Sequence, residues 1–334
     1  MISVKLFTKA IFPLLFLGAL LPARGDGAVL EEVRKIWDRA EYNSFVDLTR
    51  FQGKWFCTFR EGERHVYGED GKIRVVTSRD GINWESAVLL AEEGVDPRDP
   101  KINVTPDGRL MLVMGGSVYE GRNLVERQPR VSFSADGKAW SSPQTVLEKG
   151  DWLWRVTWFA ETAYGVSYEP REEDWGLKLF KSSDGKDYEL VTRLEVPGSP
   201  NETTLRFTEK GEMIALVRRE SGSRTAWIGV SSEEPYTEWT WNDTGYRIGG
   251  PNFIILPDGS MWASGRGYGE GQLRSTVLAG MTTDSYSPVL NLPSGGDTSY
   301  PGMVWHRGLL WIAYYSSHEG KASIYLAKIR PEYR

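Results

Sequence analysis

Six stretches of this sequence gather side chains equipped for chemistry. In chain order they are Asn43 with Arg60, Glu61, Glu63, Arg64 and His65; Asp96, Arg98, Asp99 and Lys101; and Trp152, Trp154 and Arg155 with Glu169. Then come Asn201 and Glu202 with Arg218, Arg219 and Glu220; Asn252 with Arg266; and Asp297 and Tyr300 with His318 and Glu319. Two carboxylates such as Asp99 and Glu202 can divide acid, base or nucleophile duties. Several Arg facing one pocket repel each other and call for an anion or for carboxylates to balance them. Tyr and Trp beside such a pocket suit the faces of sugars. Singly, each of these groups reads as solvated surface; only convergence gives them a function.

Composition narrows what that function is. The chain has 334 residues, with 40 basic against 45 acidic side chains and a formal net charge of −5. No basic excess points to nucleic acid. One Cys excludes an intramolecular disulfide and a four-Cys zinc site, and three His argue against a multi-His metal centre. No cofactor or metal is therefore expected. The lone Cys57 reads as a small buried apolar group. Residues 1–25 read as a secretory signal peptide: Lys5 and Lys9 lead a short apolar run over 11–21, and Ala23-Arg24-Gly25 supplies small residues for cleavage. No later run is apolar for long enough to span a membrane. The expected mature protein, 26–334, is a single exported domain, secreted or periplasmic.

The elements that must position these residues repeat. Ser78-Arg79-Asp80-Gly81-Ile82-Asn83-Trp84, Ser134-Ala135-Asp136-Gly137-Lys138-Ala139-Trp140 and Ser182-Ser183-Asp184-Gly185-Lys186-Asp187-Tyr188 share the pattern Ser-x-Asp-Gly-x-x-aromatic. Each follows an alternating run and reads as a hairpin turn, with Gly at positive φ and Asp bonding back to nearby amides. A second series of turns ends at Gly53, Gly108, Thr162, Gly211, Gly259 and Gly308, spaced 55, 54, 49, 48 and 49 residues apart. Six units of four antiparallel strands describe an all-β, six-bladed propeller. The sixth unit lacks a fourth strand, which residues 30–37 can supply from the N-terminus to close the ring. Antiparallel geometry puts the opening of strand one and the end of strand two at one edge, with the turns at the other. Asp80, Asp136 and Asp184 are then structural, and the polar stretches above meet around one axis.

In these features the chain resembles the sialidase superfamily, over the whole of the expected mature length. Its Ser-x-Asp-Gly turns are similar to Asp boxes but lack one residue between Asp and Gly. The resemblance implies an exo-acting retaining glycoside hydrolase in which Tyr300 is the nucleophile, Glu202 its base, and Asp99 or Asp96 the acid/base. It implies Arg60, Arg218 and Arg266 as a clamp for an anionic sugar such as sialic acid, with Arg98, Arg219, Asn252, Trp154 and His318 as further substrate-binding candidates. One element departs: Tyr42-Asn43-Ser44-Phe45 carries neither the Arg nor the Pro that opens blade one in sialidases, so Arg60 is the candidate third clamp member. Two other readings stay open: a propeller glycosidase using two carboxylates, or a glycan-binding propeller without catalysis.

Overall fold

The computed structural model describes residues 24–25, 27–169 and 176–332. Six four-stranded antiparallel sheets, one of them extended by a fifth short strand, stand around a central axis. From the axis outward, blade one is Tyr42–Phe51, Lys54–Gly62, Lys72–Ser78 and Glu85–Leu90. Blade two is Asp96–Val104, Leu110–Glu120, Asn123–Ser134 and Gln144–Thr145. Blade three is Trp152–Phe159, Thr162–Tyr168, Leu177–Ser182 and Glu189–Leu194. Blade four is Pro200–Phe207, Met213–Arg219, Trp227–Ser231 and Thr240–Asp243. Blade five is Gly249–Ile255, Met261–Tyr268, Arg274–Met281 and Tyr286–Asn291.

Blade six is Thr298–His306, Leu309–Ser316 and Ser323–Pro331, completed by Ala28–Trp37. The closing strand pairs Ala28 with Pro331 and Trp37 with Ile324, so an N-terminal strand and the last strand of the described chain lock the ring. The leader expected over 1–25 falls outside the described residues except for Arg24–Gly25, a short strand paired with Val29 and Ala28.

The sequence makes blades because second strands are apolar on both sides. Leu110, Met111, Leu112, Val113 and Met114 are all buried, as a sheet packed between two neighbouring sheets requires. Aromatic rings fill the wedges between blades. Trp55 lies 4.3 Å from Trp311 across blades one and six, and Phe159 stacks on Phe207 at 4.4 Å across blades three and four.

The three Ser-x-Asp-Gly turns are built alike. Asp80 Oδ1 accepts from the amides of Ile82 (2.8 Å) and Asn83 (2.9 Å), and Gly81 N donates to Ser78 Oγ at 2.9 Å. Asp136 and Asp184 repeat the pattern. These bonds favour the ionised form and hold all three carboxyls below the usual range, most strongly by the amides for Asp80 and Asp136 and against a burial penalty for Asp184. At Gly81 (φ +74°) a Cβ would lie 2.6 Å from the Trp311 ring, so turn geometry and blade packing both demand glycine there.

Candidate active site

One irregularity recurs in every blade. The register between strands one and two slips by one residue at Ser44/Asp47, Arg98/Lys101, Leu153/Val156, Pro200/Thr203, Gly249/Asn252 and Ser299/Gly302. Each slip is a bulge in the inner strand, where an unpaired residue is re-aimed toward the axis. The first bulged residues are Phe45, Asp99, Trp154, Asn201, Gly250 and Tyr300. Phe45 (φ 62°), Asp99 (φ 49°) and Tyr300 (φ 49°) sit in the left-handed region, which few non-glycine residues occupy and which concentrates at functional sites.

These bulges bring Tyr300, Glu202 and Asp99 together from blades six, four and two. Tyr300 Oη donates to Glu202 Oε1 at 2.6 Å. Glu202 Oε2 accepts from Arg218 Nη1 at 2.6 Å and from the Gly250 amide at 2.8 Å. Burial alone would raise the Glu202 carboxyl, but the charge and bond of Arg218, the Tyr300 hydroxyl and the charge of Arg266 outweigh it and hold it down. Burial, with Glu202 and Asp99 nearby, pushes the Tyr300 phenol well above its ordinary value. The phenol is thus a neutral donor to an ionised carboxylate.

Asp99 and Asp96 occupy different situations. Asp96 bridges two cations: Arg60 Nε at 2.7 Å and Arg98 Nη1 at 3.2 Å, with the Gly71 amide also donating to it at 2.8 Å. Asp99 is half-buried, and its Oδ1 is buried without a hydrogen-bond partner. Burial raises its carboxyl; Arg98 and Lys101 pull it back, and Glu202 pushes it further up. A carboxyl raised in this way beside one held low is the usual arrangement for dividing acid from base.

The arginines are matched by carboxylates of the chain itself. Arg218 binds Glu202 and also pairs with Glu220. Arg266 Nη1 reaches Asp297 Oδ1 at 3.4 Å. Asp297 is the hub of a second cluster: His65 Nδ1 lies at 2.7 Å, Tyr315 Oη donates at 3.1 Å, and Tyr42 Oη also donates. Burial opposes the Asp297 charge, but His65, Tyr42 and Arg266 hold its carboxyl down to about 2. Arg218 and Arg266 are close enough to act on each other electrostatically. Arg60 is 1% exposed and committed to Asp96 and the Arg64 carbonyl, so it does not join them.

Other candidates from the sequence take supporting places. Trp154 is 1% exposed and packs edge-on against Tyr300 at 5.0 Å, so it braces that ring and offers no face to a sugar. Asn252 is buried, accepts from Arg206 at 2.8 Å and donates to the Pro301 carbonyl at 2.8 Å, which anchors the Tyr300 bulge from blade five. Arg98 lies over the Phe45 ring at 4.8 Å. Arg219 turns away, bonding the Pro197 and Thr225 carbonyls and covering Trp227. His318 is bonded to Ser316 and packs on Tyr325 outside the cluster.

Sequence reasoning passed over Phe45, Tyr42 and Tyr315, and gave His65, Lys101 and Asp297 no role. The available signal was the bulge itself: Asp99-Pro100, Gly250-Pro251 and Tyr300-Pro301 repeat one dipeptide ending at blade spacing. Among the described residues no group of three His, Cys, Asp or Glu side chains is placed to hold a metal ion.

The fold is a six-bladed propeller of the sialidase-like kind. No protein-family model matches the chain, and no curated protein matches it in sequence. Solved structures do match in fold. A protein of unknown function from Dyadobacter fermentans superposes with a TM-score of 0.81 at 17% identity, covering 92% of this chain and 100% of that one. An alpha-L-arabinofuranosidase from Fusarium graminearum, solved with an iminosugar inhibitor, gives 0.71 at 14% identity over 90% and 98% of the two chains. Trypanosoma rangeli sialidase in complex with sialic acid gives 0.66 at 15% identity over 92% of this chain, which spans 58% of that protein.

Proposed function

We propose that this chain is a retaining exo-glycoside hydrolase with Tyr300 as nucleophile, Glu202 as its base and Asp99 as the acid/base. The observation that carries the reading is the 2.6 Å bond from Tyr300 to Glu202 beside the unpartnered Asp99 carboxyl. A phenol is a poor nucleophile while protonated, so attack must be coupled to proton loss. As Tyr300 Oη bonds the anomeric carbon, its proton passes to Glu202 Oε1. The bond to the leaving oxygen breaks, and that oxygen takes the proton of Asp99. In the second half Asp99 takes a proton from water, the water oxygen bonds the anomeric carbon, and Tyr300 departs and recovers its proton from Glu202. Arg218 and Arg266 support an anionic group on the sugar, which would displace Asp297 from Arg266. The basic and then apolar start of the chain supports export, where glycan substrates are met.

A second reading has one observation in its favour. With Asn43 in place of the blade-one Arg, Arg60 tied to Asp96 and Arg266 facing Asp297, the cations are already balanced. That suits a neutral sugar, such as the furanoside implied by the name of the Fusarium neighbour, with Glu202 and Asp99 as the working pair. Hydrolysis of aryl sialosides, uronides and arabinofuranosides separates the two. The first reading expects Tyr300→Phe to lose roughly 10²–10⁴-fold in kcat, and a fluorinated sugar to leave a covalent adduct on Tyr300 by mass spectrometry. Full activity in Tyr300→Phe with a dead Glu202→Gln transfers the chemistry to the carboxylates.

A further inference from the structure

Lys101 is the residue the fold does not explain. It lies one residue past the Asp99-Pro100 bulge on the inner strand of blade two and is 0% exposed. Its ammonium makes one long contact, 3.4 Å to the carbonyl of Pro100. Among the described residues no carboxylate comes within 4.0 Å of it. The nearby Asp47 is engaged elsewhere, by Arg155 at 2.8 Å and by the Ile102 amide at 2.9 Å. An unpaired buried ammonium is costly, and an apolar side chain of the same size would cost the fold nothing. What Lys101 Nζ does touch is aromatic: it sits 4.5 Å from the Trp154 ring centre and 5.1 Å from that of Tyr300.

We propose that Lys101 is a positioning residue for the nucleophile, its ammonium stabilising the charge that the Tyr300 ring acquires as the phenol proton moves to Glu202. The inference rests on the reading of Tyr300 as nucleophile. A cation at an aromatic ring is attracted by the ring's quadrupole. When the phenol ionises the ring carries negative charge, and the attraction grows in a site without water between the groups. The interaction is thus stronger in the transition states of both half-reactions than in the resting enzyme, which is the condition for accelerating them. The charged groups facing Lys101 are Asp47 of blade one, Asp99 of its own strand, Arg155 of blade three and Glu202 of blade four. Burial and then Arg155 push its ammonium down to about 8, while the three carboxylates hold it up. It is therefore charged at neutral pH and loses its proton in the mildly alkaline range.

The test compares wild type, Lys101→Met and Lys101→Arg in the full chain. The Met variant should lose roughly tenfold in kcat with KM nearly unchanged, and the Arg variant should recover part of it. The wild-type kcat should fall as pH rises through about 8, and the Met variant should lack that limb. A Met variant that keeps kcat and keeps the limb overturns the proposal. Fluorine NMR of 3-fluorotyrosine-labelled protein, with Tyr300→Phe assigning the signal, reads the same contact without a substrate. In wild type the Tyr300 signal should move as Lys101 titrates, and a signal that stays still overturns the proposal even where a variant does not fold. An active Tyr300→Phe enzyme instead removes the nucleophile reading, and the NMR titration then still reports whether Lys101 acts on that ring.

Discussion

Two aspartates three residues apart do different work, and environment alone separates them. Asp96 is saturated by Arg60, Arg98 and the Gly71 amide, so it is a strut. Breaking that buried network with Asp96→Leu leaves Arg60 unpaired at 1% exposure. The expected cost is about 3–5 kcal/mol, read as a drop in denaturation midpoint. Asp99 keeps an unpartnered oxygen, and burial and Glu202 raise its carboxyl. On the proposed reading Asp99 is an acid that must be protonated for the first step, and such an acid loses activity as pH rises through its raised value. Asp99→Asn should therefore abolish that part of the profile, and an aryl leaving group that needs no protonation should restore turnover of the first half-reaction. At Lys101 the sign runs the other way for stability. Its folded value near 8 lies below the ordinary 10.5, so the native state is penalised below about pH 8 and recovers as pH rises toward 10.5. Lys101→Met should then melt no lower than wild type at pH 7, and higher if the released penalty exceeds any packing loss.

The bulge is the element that turns a propeller strand into a site. Between Ser299 and Gly302 it rotates Tyr300 out of the pleat, and Asn252 pins the following Pro301 carbonyl from the next blade. Gly250 in blade five has to leave room for this. It has φ +59°, and a Cβ there would lie 1.9 Å from Tyr300 Cδ1. Gly250→Ala therefore has to push the phenol off Glu202 or disturb its own amide bond to that carboxylate. Misplacement of about 1 Å costs on the order of 10²-fold in rate. The expected outcome is a folded protein with a strongly reduced kcat; an alanine variant with wild-type kcat would show that the ring position is not critical.

At the scale of the molecule, the site exists only because the ring closes. Tyr300 and Glu202 stand 98 residues apart in sequence and meet at 2.6 Å. Closure rests on the strand Ala28–Trp37, whose Trp37 is 4% exposed and donates to Glu61 of blade one at 2.7 Å. Trp37→Ala removes a packed ring at the seam and should cost about 3–5 kcal/mol. Calorimetry should show the whole domain melting earlier in one transition, and an unchanged melting temperature would mean the seam is not limiting. Much of this architecture was legible in the chain. The turns at about fifty-residue spacing, the Ser-x-Asp-Gly pattern and the missing fourth strand of the sixth unit follow from local periodicity and turn chemistry, which neighbouring residues specify by themselves. The strand Ala28–Trp37 arrived where residues 30–37 were expected. Tyr300, Glu202, Arg218 and Arg266 could be placed at one edge for the same reason. What periodicity does not carry is which side chain a partner has already claimed. That Arg60 belongs to Asp96, that Trp154 packs against Tyr300, that Asp297 faces Arg266, and that Lys101 lies unpaired beside the Tyr300 ring all depend on contacts between blades. Those contacts are set by how far each bulge turns its residue toward the axis, and a linear pattern holds no record of that angle.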